Sequence, residues 1–511
     1  MLRRHPKKFF DTGHLKADLR NRSVRGSMAT VTAQGGKFLL HLTSTVVLAR
    51  LLTPADFGLV AMVTLVTRLI SLFKDLGLSH ATIQRDEVTH DQVSTLFWIN
   101  AGFGLCAAAV AAAFSPLVAW FFGERRLILI MVVLSGGFVL GGLAVQHQAL
   151  LRRSMQFVAL GAAELCGMFL GVAVAVVSAC LGAGYWSLVL FQISVTAGTA
   201  LCLWVACPWV PGWPVRGCGV RPMLFFGCNI VGSRMANYLS RNLDNILIGR
   251  CWGAAELGLY TRAYSLLTVP LDNARAPISS VAVPALSRLQ DDPERYRRAF
   301  LRMAEKVFML ALPLATTIFV GADWITQIVL GAQWSGSGPI FAWLGLALVP
   351  QMASIVIGWL LVSQGRSRDI LVWGVVGAAI SSLSFIIGLP WKGLGVARAY
   401  AIGNLLICSP FLFWWACRKG PVKLRDILIL AWPFGAVSLV VWLAGFMVRL
   451  VVSGDRACVG LICLAAVCFV VTAGLYAVVP PCRRAVRDAC FLIMHVRRAE
   501  NRQARSTDVS D

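Results

Sequence analysis

The sequence predicts an all-α polytopic membrane protein of about 14 transmembrane helices, arranged as two pseudo-symmetric six-helix lobes around a central cavity with two further helices after them. Three observations carry that reading. Of 511 residues, 58% are hydrophobic and only 14% are charged, whereas soluble domains carry about a quarter charged residues. The apolar residues gather into runs such as 127–150 and 157–181, and about 20 such residues in a helix cross a hydrocarbon core. The Lys and Arg residues behind the net charge of +23 stand mostly in the connections and at the two ends. That is the pattern of membrane topology, not of a nucleic-acid-binding face, and no nucleic-acid partner is expected.

Taken in order, residues 1–27 form a basic segment without a small-residue cleavage site, so it reads as a cytoplasmic N-terminal segment and not a signal peptide, with Met28 as an alternative start. Spans at 28–52, 57–80, 95–122, 127–150, 157–181 and 184–207 make a first lobe, 28–207. A basic, Pro-rich linker, 208–222, leads to a second lobe, 223–417, with spans at 223–250, 254–285, 298–322, 339–364, 369–389 and 393–417. The additional helices, 426–450 and 456–480, fill 418–480. In the basic tail, 481–511, Arg483, Arg484 and Arg487 precede Phe491 and Leu492, which suggests an interfacial helix. The 15 cysteines lack metal-ligand spacing and read as small buried hydrophobes. With the N-terminus inside, about 30 Lys and Arg fall on the cytoplasmic side and about seven outside, which orients the chain N-in and C-in, with Glu124-Arg125-Arg126 the main exception.

An internal repeat shows how the bundle is assembled. At an offset of 200 residues, Arg50 matches Arg250, Ala55 matches Ala255, Asp56 matches Glu256, Gly58 matches Gly258 and Leu59 matches Leu259. The register extends backwards, pairing Gln34 with Arg234, Lys37 with Asn237, His41 with Arg241 and Ser44 with Asp244. A six-span repeat has even parity, so the two lobes share one orientation, and transporters built this way bind substrate between their repeats.

Polar residues inside the spans follow the same logic. Thr30, Gln34, Lys37, His41 and Ser44 recur at helical spacing on the first span, and Asn229, Ser233, Asn237, Arg241 and Asp244, with Arg234 beside them, on the seventh. Either the stripes line a water-filled cavity or they join helices by hydrogen bonds; Lys and Arg favour the cavity. Arg262 and Arg275 flank Pro270 on the eighth span, where the ring would kink the helix, and Arg68 and Lys74 lie on the second. For Arg68, Lys74 and Arg275 the alternative is snorkelling to an interface. Guanidinium forks match phosphate oxygens, so a cationic cavity suits a diphosphate head group. Glu164 and Asp244 are the acidic candidates for binding a coupling ion, the alternative being ion pairs, Asp244 with Arg241 on its own helix. No nucleotide-binding loop is present, and no cofactor is expected.

The stretches TSTVVLARLLTPADFGLVAMV (43–63), NLDNILIGRCWGAAELGLYTRAYSLLTVP (242–270), VPALSRLQDDPERYRRAF (283–300) and GAQWSGSGPIFAWLGLALVPQ (331–351) resemble Wzx-type polysaccharide flippases over about 28–420. That family belongs to the multidrug/oligosaccharidyl-lipid/polysaccharide superfamily. The resemblance implies a V-shaped cavity between two lobes. It also implies alternating access, moving an undecaprenyl-pyrophosphate-linked oligosaccharide from the cytoplasmic to the outer leaflet of a bacterial inner membrane for surface polysaccharide synthesis, lipopolysaccharide or exopolysaccharide. Coupling to H+ or Na+ is implied as well, as are cavity roles for Lys37, Arg68 and Arg262. The implied partners are the lipid-linked oligosaccharide, membrane lipid, and the glycan polymerase and export machinery. The last two helices depart from the family's twelve-span core. A drug exporter of the same superfamily would use acidic groups where this chain offers basic ones. A membrane glycan polymerase or ligase would need a long outer loop with catalytic groups, and the longest here, 323–338, carries Asp323 as its one charge, so the chain is not expected to be an enzyme. In a cysteine-free background, Ser335→Cys is expected to react with an impermeant thiol reagent in whole cells and Asp292→Cys only after permeabilisation; the reverse labelling rejects the orientation.

Overall fold

Hydrocarbon offers no hydrogen bond to a bare N–H or C=O, so a chain this apolar closes its backbone bonds within each segment. In the computed structural model, which describes residues 19–72, 88–215, 221–452 and 456–488, the regular elements are all helical. They are α1 (Leu19–Leu51), α2 (Pro54–Ser71), α3 (His90–Phe122), α4 (Leu127–Arg153), α5 (Phe157–Cys180), α6 (Trp186–Ala206) and α7 (Arg221–Ser287). There follow α8 (Pro293–Val329), α9 (Ser337–Leu346), α10 (Leu348–Ser363), α11 (Ser367–Gly388), α12 (Lys392–Gly403), α13 (Ser409–Cys417), α14 (Leu424–Val451) and α15 (Ala457–Val478).

Among the described residues, 10 helical runs are long and apolar enough to cross a membrane. One of them, Ser367–Cys417, has 51 residues, or ~77 Å of helix, and turns at Lys392 (φ 60°), so it holds two of the expected spans. The charged helices α1, of 33 residues, and α7, of 67, hold three more. Gly253, with φ 79° and ψ −171°, breaks α7 into two arms where the expected seventh and eighth spans meet. Lys74 and the end of the expected second span lie outside the described residues.

The chain divides into two compact units, Met1–Gly258 and Leu259–Asp511, the division falling inside α7. In the first unit, Thr53 caps α2: its hydroxyl accepts from Asp56 N, the Asp56 carboxylate accepts from Thr53 N at 3.0 Å, and Pro54 occupies the first turn. Such a cap contributes about 1 kcal/mol. Thr89 and Gln92 cap α3 in the same way. The two repeated corners pack on each other. A Cβ on Gly58 would stand 1.7 Å from the Ala254 carbonyl oxygen, and a Cβ on Gly258 would stand 1.8 Å from that of Pro54. Residues 54 and 58 thus meet 254 and 258 reciprocally, which is a local two-fold relation at the repeat offset. Between α3 and α4, Arg126 donates to both Glu124 oxygens at 2.9 and 3.0 Å. These hydrogen bonds hold the Glu124 carboxyl below its ordinary range, so the loop that ran against the charge bias contains its own ion pair.

In the second unit, Tyr296, Phe300, Phe308 and Trp324 of α8 pack with Trp359 and Leu360 of α10 and Phe434 of α14. Arg297 donates from Nε to Asp426 at 2.8 Å, and Arg449 pairs with Asp323, so α8 and α14 are joined near both ends. Asp323 lies within α8, not in a loop at 323–338, because the helix continues to Val329. The tail begins as a helix over 480–488 with Cys482 and Ala485 fully buried in this core and Lys306 Nζ donating to Ala485 O at 3.0 Å. Its remainder, 489–511, with Phe491 and Leu492, lies outside the described residues. The cysteines follow expectation only in part: Cys207, Cys408, Cys468 and Cys482 are buried, whereas Cys106, Cys166 and Cys180 are exposed on helix surfaces. A thiol is apolar enough to face either hydrocarbon or a packed interior.

Inside a bilayer, helices gain little from excluding water, and close packing carries more of their association. Gly58→Leu is therefore expected to lower the melting temperature of the detergent-purified protein by the equivalent of about 1–3 kcal/mol or more. Gly35→Ala, at a helical position with nothing within 4 Å, is expected to leave it unchanged or raise it. Equal melting of the two variants would refute a tight corner.

Candidate functional site

On α1 the polar stripe divides by chemistry. Thr30 donates back to Gly26 O and Ser44 to His41 O, both at 2.8 Å, so these hydroxyls satisfy themselves on their own helix. Lys37 reaches across to α5, where its ammonium donates to the Glu164 carboxylate. The two lie 127 positions apart and have side chains 26% and 25% exposed. His41 is half-buried a turn further on. The structure thus joins two predicted site residues that the sequence had assigned to separate roles.

Arg68 is exposed on the last turn of α2. On the first arm of α7, Asn237 and Arg241 are also exposed, whereas Asp244 is 3% exposed and accepts from the Asn245 amide at 2.7 Å. Tyr238 lies on this arm too and donates its hydroxyl to Leu65 O of α2 at 2.9 Å. The side chain of Arg234 lies outside the described residues, as does that of Arg275 on the second arm. In the second unit, Arg262 is half-buried, its backbone carbonyl accepts from Ser265 Oγ at 2.9 Å, and Tyr260 and Tyr264 stack beside it with ring centroids 6.3 Å apart.

A feature missed in the sequence is the way the connector after α6 is strapped to the first unit. Trp209, 1% exposed, donates its indole N–H to His90 Nδ1 at 3.0 Å, and its carbonyl accepts from His147 Nε2 at 3.1 Å. These contacts set both imidazole tautomers, since a carbonyl only accepts and an indole only donates. Gly212 N donates to Ser94 Oγ at 3.0 Å, Val215 N to Thr95 Oγ1 at 3.1 Å, and Trp213 stacks on Trp98. The available signals were a histidine inside apolar α4 and two tryptophans in a Pro-rich connector.

The model of the family described as polysaccharide biosynthesis protein matches residues 47–339. The chain belongs to this family. The matched stretch holds both glycine corners together with Arg68, Arg241, Asp244 and Arg262, while Lys37 lies just ahead of it. A family relative from Escherichia coli (strain K12), the lipopolysaccharide biosynthesis protein WzxC, is 25% identical over 453 residues, covering 86% of this chain and 90% of its own. The succinoglycan biosynthesis transport protein ExoT of Rhizobium meliloti (strain 1021) is 25% identical over 374 residues, 71% of this chain and 75% of its own. Among solved structures, the lipid II flippase MurJ in an inward closed conformation superposes with a TM-score of 0.68 at 14% identity, covering 89% of this chain and 98% of that one. At that identity the likeness concerns the fold, which is that of a multi-pass helical membrane protein.

Proposed function

We propose that this protein is a flippase that carries a lipid-linked oligosaccharide, or a polysaccharide repeat unit on a polyprenyl diphosphate, from the cytoplasmic to the outer leaflet of a bacterial inner membrane. The observation that carries the reading is a set of cations on long helices, Lys37 on α1, Arg68 on α2, and Arg241 and Arg262 on α7, in a chain of a polysaccharide biosynthesis family. A cation at bilayer depth costs several kcal/mol unless water or an anion meets it. Arginine meets a diphosphate best, because its planar fork keeps its charge and donates two parallel bonds. The relatives' names, a biosynthesis transport protein and a lipid II flippase, support transport of a glycan on a lipid.

The substrate crosses without a covalent bond being made or broken, so the reading is of a transporter and not an enzyme. Alternating access moves it, with both ends of the chain cytoplasmic and the positive-inside bias as support. A H+ or Na+ gradient drives the cycle, with Asp244 as the coupling carboxylate. A glycan polymerase and an export machinery take over the product. A drug exporter would need an accessible acidic surface for cationic cargo, whereas Asp244 is 3% exposed and Glu164 is joined to Lys37.

Arg241→Ala and Arg262→Ala are each expected to lower surface polysaccharide at least tenfold while the protein still inserts at the wild-type level, as measured by glycan staining beside a membrane immunoblot. Lys at either position is expected to retain part of the export, since it keeps the charge and loses the fork. Normal surface polysaccharide in both alanine variants overturns the reading.

A further inference from the structure

Lys37 and Glu164 stand apart from the other charges. Within 26–49 of α1, Lys37 is the sole Lys, Arg, Asp or Glu, and within α5 Glu164 is the sole one. The neighbouring α6 carries none, and those of α4 are Arg152 and Arg153 at its end. The other titratable groups on these stretches are His41 on α1, Cys166 and Cys180 on α5, Cys202 on α6 and His147 with the two arginines on α4. Each partner is about a quarter exposed, Lys37 at 26% and Glu164 at 25%, so a ligand can reach the ammonium. Glu164 lies about 10 Å along α5 from its first residue, by the rise of a helix.

An ammonium has three donors and rotates freely on its stem. One is given to Glu164, and an arriving diphosphate competes for the same charge. While the pair is closed, Lys37 is only fractionally available, and the apparent affinity for an anion is reduced by that fraction. The same competition acts in reverse on departure, when the carboxylate recaptures the ammonium and displaces the diphosphate. Truncating either partner alone leaves a lone charge at bilayer depth, which is the unfavourable outcome the pair avoids.

We infer that Glu164 is a release residue: a built-in competing anion that weakens the hold of Lys37 on the substrate's diphosphate and speeds its discharge. This rests on the flippase reading and adds to it a role for the one acidic side chain of α5. A merely structural ion pair predicts something different, since its loss would lower binding and export together. A release residue predicts that they part, with binding tighter and turnover slower.

The test measures the affinity of the purified full-length protein for farnesyl diphosphate, a short polyprenyl diphosphate, and surface polysaccharide in cells. Glu164→Gln is expected to bind farnesyl diphosphate about tenfold tighter, by removal of the competitor, and to export less than wild type. Lys37→Gln is expected to bind at least tenfold more weakly. Glu164→Asp keeps the charge and withdraws it by one methylene; it is expected to fall between wild type and Glu164→Gln, and it supplies the reading if the Gln variant does not accumulate. Unchanged or weaker binding in both Glu164 variants, with Lys37→Gln still impaired, overturns the inference and leaves the flippase reading standing. Full binding by Lys37→Gln, with the Arg241 and Arg262 variants impaired, does the same. Absence of farnesyl diphosphate binding in the wild-type protein overturns the flippase reading and the inference together.

Discussion

The constraint on which the rest of this structure depends is that hydrocarbon hydrates nothing. It makes the backbone helical, because each N–H and C=O must find its partner within its own segment. It also decides what happens to each charge carried into a helix. Arg449 meets Asp323, Arg297 meets Asp426, and Lys37 meets Glu164. Arg366 is satisfied by the Asp369 carboxylate at 2.7 Å and by the carbonyls of Ala416 and Lys419 at 2.6 and 2.9 Å, which also closes the end of α13. Most of these arginines sit near helix ends, where water can help. Lys37 sits well inside α1, and Glu164 about two turns into α5, so the lysine finds its partner on a neighbouring helix.

The same absence of water explains why the corners matter. Helices in lipid are held by contact and not by exclusion, so two glycines that let backbones touch are worth more than two larger apolar side chains. Gly58 and Gly258 occupy equivalent places in the repeat, and each accepts the carbonyl of the other's corner within a distance that no Cβ tolerates. Thr53 and Gly253 are equivalent as well, yet they turn the chain by different means. Thr53 does so with a side-chain cap, and Gly253 with a positive φ that few other residues adopt. The repeat thus preserves the corner while changing the chemistry that makes it.

How much of this could be read beforehand follows from the range of each signal. The 10 apolar helical runs were legible, because they depend on hydropathy over about 20 residues, and the boundary drawn between 250 and 254 contains the break at Gly253. The repeat was legible too, since a fixed offset of 200 survives any packing. The Lys37–Glu164 pair was not: nothing in the sequence selects one partner for Glu164 across 127 residues. The strap of Trp209, Gly212 and Val215 onto α3 was hidden for the same reason, and a Pro-rich segment reads as a linker whether or not its amides are held. Asp323 was misplaced because a helix that carries one acid near its end looks like a loop when hydropathy alone sets the boundary.

The choice of cation at each position then acquires a physical meaning. Arginine commits its five donors to a rigid fork, so on the proposed flippase reading Arg241 and Arg262 would supply the geometrically specific part of the grip. Lysine is a compact point charge whose three donors can be shared between a carboxylate and an arriving phosphate without reorienting a plane. A residue that must exchange partners within each transport cycle is better served by the second. Arginine at position 37 would hold Glu164 through a bidentate pair, raising the barrier to exchange, and would hold a diphosphate equally hard once it had changed partners. In the proposed release role the Lys37–Glu164 pair opens and closes once per cycle, and because a lone charge is costly in hydrocarbon, both steps would require the other anion to be present.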